Sequence, residues 1–96
     1  MSFFGFLGRR KKAELPAERR KRLLAKGRIT DGVIIDSDTL DDGTEVVQYS
    51  YHIHGVQFES SEALTEEQKA AGIKYAPGAS VAIRFDPQIQ GNSVLV

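Results

Sequence analysis

The chain has 96 residues, 13 lysines and arginines against 13 aspartates and glutamates, and no cysteine. That length sets one domain, and the missing thiols exclude disulfide scaffolds and thiolate-zinc sites. No run of about eighteen apolar residues offers a membrane span, and the apolar start at Phe3 to Leu7 is short and precedes its basic residues, the wrong order for a secretory signal, so a soluble cytoplasmic protein is expected.

The zero net charge conceals a segregation. Residues 1–28 hold ten basic side chains opposed only by Glu14 and Glu18, a net +8, and residues 29–96 carry −8. Such a split points to a polyanionic partner, or to pairing within or between copies of the chain.

In chain order, Phe3, Phe4, Phe6 and Leu7 come first, followed by Arg9, Arg10, Lys11 and Lys12. At an anionic membrane, partial burial of the four apolar side chains yields on the order of 3–6 kcal/mol. Each basic residue near the headgroups adds roughly 1 kcal/mol. Together these terms suit reversible, peripheral binding at the inner face of a membrane. The competing expectation is that the four apolar residues fold back and complete the core of the following domain.

Pro16 suits the first turn of a helix, Glu18 lies near its positive end, and Lys21, Arg22 and Lys26 lie near its negative end. The helix is expected at about 16–26, with Gly27 as a left-handed stop. Its apolar stripe is thin, so it docks through Leu23 and Leu24 and is no core helix. Arg19, Arg20, Lys21 and Arg22 are the alternative contact for a polyanion. β-Branched residues become frequent after Lys26-Gly27, which divides a basic arm (1–27) from a small β domain (28–96).

Residues 46–53 alternate, with Val47, Tyr49, Tyr51 and Ile53 on one face. His54-Gly55 then reads as a two-residue hairpin turn pairing Ile53 with Val56 and Tyr51 with Phe58, which carries Val56 and Phe58 inward on a strand at about 56–61. Upstream, the three-residue loop Asp41-Asp42-Gly43 pairs Leu40 with Thr44. Counting back sets Ser37 against Val47, Ile35 against Tyr49 and Val33 against Tyr51, so Val33 and Ile35 are expected on the buried face. Thr65-Glu66-Glu67-Gln68 reads as a capping box opening a helix of about two turns that stops at Gly72. Val81, Ile83 and Phe85 alternate in a fourth strand, and a last one runs from Ser93 to Val96. The expected fold is mainly β: a five-stranded antiparallel meander curled into a small SH3-like or OB-like barrel, with an N-terminal helix and a short helix between strands 3 and 4.

Gly32-Val33, the run Tyr49-Ser50-Tyr51-His52-Ile53-His54-Gly55, and the stretch from Pro77 to Pro87 continuing through Ser93-Val94-Leu95 resemble a bacterial family of small β modules, the domain-of-unknown-function family 3592. The resemblance covers roughly residues 26–96, although Gln90 stands where a second proline is usual. It implies a small β module near a membrane, with no assigned chemistry and no catalytic residues. Many members of that family are flanked by membrane helices, which this chain lacks.

The chemical motifs are sparse. His52 and His54 have no third ligand beside them, and His54 in a turn leaves the shared face. Asp36, Asp38, Asp41, Asp42 and Glu45 do not fit a calcium loop, which needs an oxygen ligand at the position of Leu40 and glycine at that of Asp41. Ser60, Ser61 and Ser80 have no nucleophile context, and no enzymatic activity, cofactor or metal is expected. The leading expectation is a peripheral membrane or protein-interaction module working through residues 3–12. The alternatives are a nucleic-acid-binding barrel using its arginine-rich helix, and a homo-oligomer in which the basic arm meets the acidic barrel of another copy.

Overall fold

A computed structural model describes residues 14–96. Helix α1 spans Pro16–Lys26, and five strands follow: β1 Arg28–Thr39, β2 Glu45–Ile53, β3 Val56–Ala63, β4 Ser80–Phe85 and β5 Ser93–Leu95. Between β3 and β4 lie helix α2, Glu66–Ala70, and a 3₁₀ turn, Gly72–Tyr75. All adjacent strands are antiparallel, in the order β3-β2-β1-β4-β5. The first three strands form the expected meander, and the chain then crosses through α2 to lay β4 on the free edge of β1. β3 and β5 therefore run parallel to each other at the two margins of a curled half-barrel. With the helix between β3 and β4, this connectivity is that of an OB-like and not an SH3-like closure.

The strands form where the alternation puts them. His54 (φ 51°) and Gly55 (φ 82°) make a turn with two positive φ values, and Ile53 faces Val56 across it. A hairpin this tight favours such turns because their twist matches the strands. Tyr51 faces Phe58, and their rings stack at 5.5 Å. Tyr49 and Tyr51 are buried with Val47, Ile53, Val81, Ile83, Phe85 and Leu95. Leu64 and Tyr75, delivered by the β3-to-β4 crossover, close one end of this core. Phe58 is only half-buried, and Val56 is 54% exposed, so the expected inward packing of β3 fails at its first residue. Val56 sits at the hairpin tip, beyond the reach of the opposite margin. β3 also runs two residues past the expected end, to Ala63.

The β1–β2 register follows the expected hairpin only part of the way. Leu40 N donates to Thr44 O, and Ser37 faces Val47. Between Asp36 and Ile34 the register slips, leaving Ile35 as the extra residue of a β-bulge. From there Ile34 faces Tyr49 and Gly32 faces Tyr51. Because the side-chain period of a strand is two, one extra residue exchanges the faces. Ile34 is 1% exposed, while Val33 and Ile35 are 45% and 42% exposed. The expectation that Val33 and Ile35 pack on Tyr51 and Tyr49 is thereby corrected.

Helix α1 begins with Pro16 in its first turn, and Leu15 N donates to Glu18 Oε1 at 3.2 Å. Leu23 is buried on the far side of β5 from the main core, as is Val94, and Leu24 is half-buried. Burying Leu23 contributes about 1.5–3 kcal/mol, enough to hold a short amphipathic helix in place. Gly27 is not left-handed (φ −72°). Its role is space, since a Cβ there would lie 2.6 Å from Leu23 O and 3.1 Å from Phe85 O. α2 shows the expected capping box: Thr65 Oγ1 accepts from Gln68 N at 3.1 Å, and Gln68 Oε1 accepts from Thr65 N at 2.9 Å. It is shorter than expected, ending at Ala70 with Ala71 as its cap, and Gly72 (φ 61°) takes the left-handed stop position expected of it while also opening the 3₁₀ turn.

The bulge makes a direct forecast. Ile34→Ala lowers the unfolding free energy by about 2–5 kcal/mol, as truncation in a close-packed core does. Ile35→Ala next to it changes stability by no more than about 0.5 kcal/mol. Urea unfolding of the two variants checks this, and a reversed ranking would restore the unbulged register.

Candidate functional site

Side-chain hydrogen bonds converge on the seam between β3 and β5. Asp86 N donates to Asn92 O and Val96 N to Ala82 O, so residues 92, 94 and 96 turn toward β4. Ser93 and Leu95 therefore turn their backbone groups toward β3. No strand ladder joins those margins, and side chains take its place. Arg19 Nη1 donates to Ser93 O at 2.7 Å and to Asn92 Oδ1 at 3.0 Å. Arg20 Nη1 donates to Leu95 O at 2.6 Å and to Glu62 Oε2 at 3.2 Å. Glu62 Oε1 accepts from Leu95 N at 3.1 Å, and Gln68 Nε2 donates to Leu95 O at 3.3 Å. Inside the barrel, the Tyr49 hydroxyl and Ser93 Oγ share a 2.7 Å hydrogen bond, and the Tyr51 hydroxyl donates to Gln90 O at 2.6 Å.

Glu62 is the centre of this arrangement. It faces Val47 across the β2–β3 ladder and so belongs to the inner face of β3. Burial pushes its carboxyl above the ordinary glutamate range, against the opposing pull of Leu95 N–H and of Arg20. Burial likewise raises the Tyr49 and Tyr51 hydroxyls, which stay neutral donors or acceptors within the seam.

The sequence-predicted site residues divide into two groups. Phe3, Phe4, Phe6, Leu7, Arg9, Arg10, Lys11 and Lys12 lie outside the described residues. In the helical cluster, Arg19 and Arg20 point at β5 as above. Arg22 pairs with Glu14 through Nε at 2.9 Å and Nη2 at 3.0 Å, and with Asp86 Oδ2 at 3.3 Å. The Arg22 hydrogen bond holds the Glu14 carboxyl below its usual range, and the Asp86 carboxyl is lowered by the Gln88 and Ile89 N–H groups and then by Arg22. Lys21 is the member of the cluster that stands exposed.

Under the first turn of α1, where it overhangs the seam, lies an open cleft of about 350 Å³. Pro16, Ala17, Ala63 and Val94 give it apolar lining, and Arg19, Arg20, Glu62 and Thr65 are its charged and polar lining. His52 lies exposed on the outer face of the sheet and His54 in the turn, so the two do not converge. Among the described residues no group of three or more metal-binding side chains comes together, and no helix is long and apolar enough to cross a membrane. No family model, curated protein or solved structure matches the chain.

Glu62, Ser93 and Gln68 escape the sequence reading. Continuing the alternation from Phe58 places Ser60 and Glu62 inward, and an acid on an inward position was the available signal.

The seam predicts a pH dependence. A carboxyl with a raised folded-state pKa contributes stability that is fully present below its unfolded pKa and fades as pH rises through the folded value. The stability advantage of the native chain over Glu62→Gln therefore shrinks as pH rises from below the ordinary glutamate range through the raised Glu62 value. Urea unfolding across that window reads it, and an advantage that grew with pH would contradict the burial argument. Glu62→Ala, which takes the acceptor from Leu95 N–H and the carboxylate from Arg20, costs about 1–3 kcal/mol at neutral pH.

Proposed function

We propose that the protein is a non-catalytic peripheral module that contacts anionic membrane surfaces through residues 3–12, with the β domain as its body. The observation that supports this reading is how the basic charge is used. Arg19, Arg20 and Arg22 are hydrogen-bonded to β5, Glu62, Glu14 and Asp86, so the helical cluster is largely occupied within the fold. Residues 14–96 carry nine basic and thirteen acidic side chains, a net −4, and Arg9, Arg10, Lys11 and Lys12 supply the balancing +4. Those four basic residues follow Phe3, Phe4, Phe6 and Leu7 in the sequence, which sets a second cluster of positive charge beside the apolar segment. A cytoplasmic, inner-leaflet location follows from this reading, because that leaflet presents the anionic lipids such a segment needs.

The same split of −4 and +4 favours a second reading, in which residues 9–12 of one copy meet the acidic body of another. Binding to a nucleic acid is less favoured, since an acidic body repels phosphates and the tyrosines that would stack on bases are buried.

Sedimentation with lipid vesicles tests the proposal. The full chain should pellet with vesicles containing anionic lipid and not with zwitterionic ones, and added salt should release it. Replacing Arg9, Arg10, Lys11 and Lys12 together with serine should abolish the binding. Binding that ignores lipid charge, or no binding at all, removes the membrane reading. A concentration-dependent dimer mass would favour self-assembly, and salt-sensitive oligonucleotide binding would favour nucleic acid.

A further inference from the structure

We infer that the cleft under α1 is an intramolecular seat for the apolar segment Phe3–Leu7, occupied when no membrane is present. The inference rests on the reading of that segment as the membrane contact and adds its regulation: the same side chains leave the seat to enter the bilayer.

Three observations lead to this occupant. The first is shape and chemistry. The cleft measures about 350 Å³ and is lined on its apolar side by Pro16, Ala17, Ala63 and Val94. That is near the lower size at which pockets hold a ligand. It suits an aromatic ring or two, and small side chains line it where larger ones would fill it. The second is reach. Pro16 and Ala17 are themselves part of the wall, and eight residues separate Leu7 from Pro16. Fully extended, those eight residues span at most about 29 Å, so a reversal of the chain can bring Phe3–Leu7 into the cleft. The third is charge. Glu62 lines the cleft together with Arg19 and Arg20, so the attraction for Arg9 to Lys12 comes from the body as a whole and not from the cleft wall. Residues 14–96 carry a net −4 against the +4 of residues 9–12.

An occupied seat lowers the apparent affinity for a membrane by the fraction of molecules in which the segment is not available. If about nine molecules in ten are seated, filling the cleft tightens vesicle binding about tenfold. Ala63 is exposed, so Ala63→Trp fills the cleft from a position where a larger side chain meets no core. The same substitution in a chain lacking residues 1–8 controls for membrane affinity of the new indole itself.

Two measurements test the seat. In two-dimensional amide NMR, removing residues 1–8 should shift the signals of Ser61, Ala63, Thr65 and Val94 while leaving those of the distant His54-Gly55 turn in place. In vesicle sedimentation, Ala63→Trp in the full chain should bind anionic vesicles more tightly than the native chain, and the shortened Ala63→Trp chain should not bind. Cleft amides that do not respond to the deletion overturn the seat, whatever the vesicles show. Unchanged vesicle affinity of Ala63→Trp, with the native chain binding, overturns it as well. Cleft amides that shift, with no vesicle binding by either full-length protein, uphold the seat and remove the membrane reading.

Discussion

A three-residue strand at the margin of a half-barrel has to satisfy backbone groups that no neighbouring strand reaches, and the rest of this structure is arranged around that demand. β5 is paired on one side by β4. On the other side Ser93 O, Leu95 O and Leu95 N are met by Arg19, Arg20, Gln68 and Glu62. Unpaired backbone groups in a partly buried place each cost free energy comparable to a lost hydrogen bond. Charge-assisted bonds from guanidinium and carboxylate groups are stronger than neutral ones, so a few of them can stand in for a ladder. The helix, the crossover and β3 each send one or two side chains to the same short strand. Its position is thereby tied to all three.

This arrangement has a second effect on the sheet margin. β3 is also a margin, and an open margin invites pairing with another chain. An inward-pointing charge is one of the ways natural sheets discourage such pairing, and Glu62 is such a charge. Its burial is costly, which the raised carboxyl pKa expresses. The Arg20 guanidinium and the Leu95 N–H offset part of that cost. A buried pair of this sort adds little net stability compared with apolar packing, but breaking one partner away from the other is strongly unfavourable. It therefore restricts which arrangement of helix and margins the chain adopts, while the stacked Tyr51, Phe58 and Phe85 and their aliphatic neighbours supply most of the burial.

Local chemistry made much of the fold readable. The His54-Gly55 turn, the capping box at Thr65, Pro16 in the first turn of α1 and the alternation through Tyr49 and Tyr51 each depend on residues within a few positions of one another. The β1 face was misread because a loop length sets register only as far as the first irregularity. Val33, Ile34 and Ile35 are consecutive β-branched residues, so no polar residue among them marks which side faces the core. The bulge at Ile35 is decided by β2 on one side and by β4 and the loop before it on the other: Ile34 N donates to Ala79 O, and Gly78 N donates to Ile34 O. These contacts span more than forty residues of sequence. The seam was hidden for the same reason. Arg19 and Arg20 look like members of a solvated charge run until the position of β5 is known, and Glu62 looks like one of two acids on β3 until its inward face is counted.

The use of the helical arginines as structural donors also constrains where an external anion can act. Once Arg19 and Arg20 are committed to β5 and Arg22 to Glu14 and Asp86, an approaching polyanion would have to displace short, partly buried hydrogen bonds before it gained any contact. At physiological salt, charges more than about 8 Å apart are largely screened. The field felt by a partner is then that of the nearest few side chains and not the chain's overall zero. Over the acidic loop from Asp36 to Glu45 that local field is negative. An anionic surface brought up to this body is therefore repelled at the β1–β2 loop, whatever the charge elsewhere in the chain.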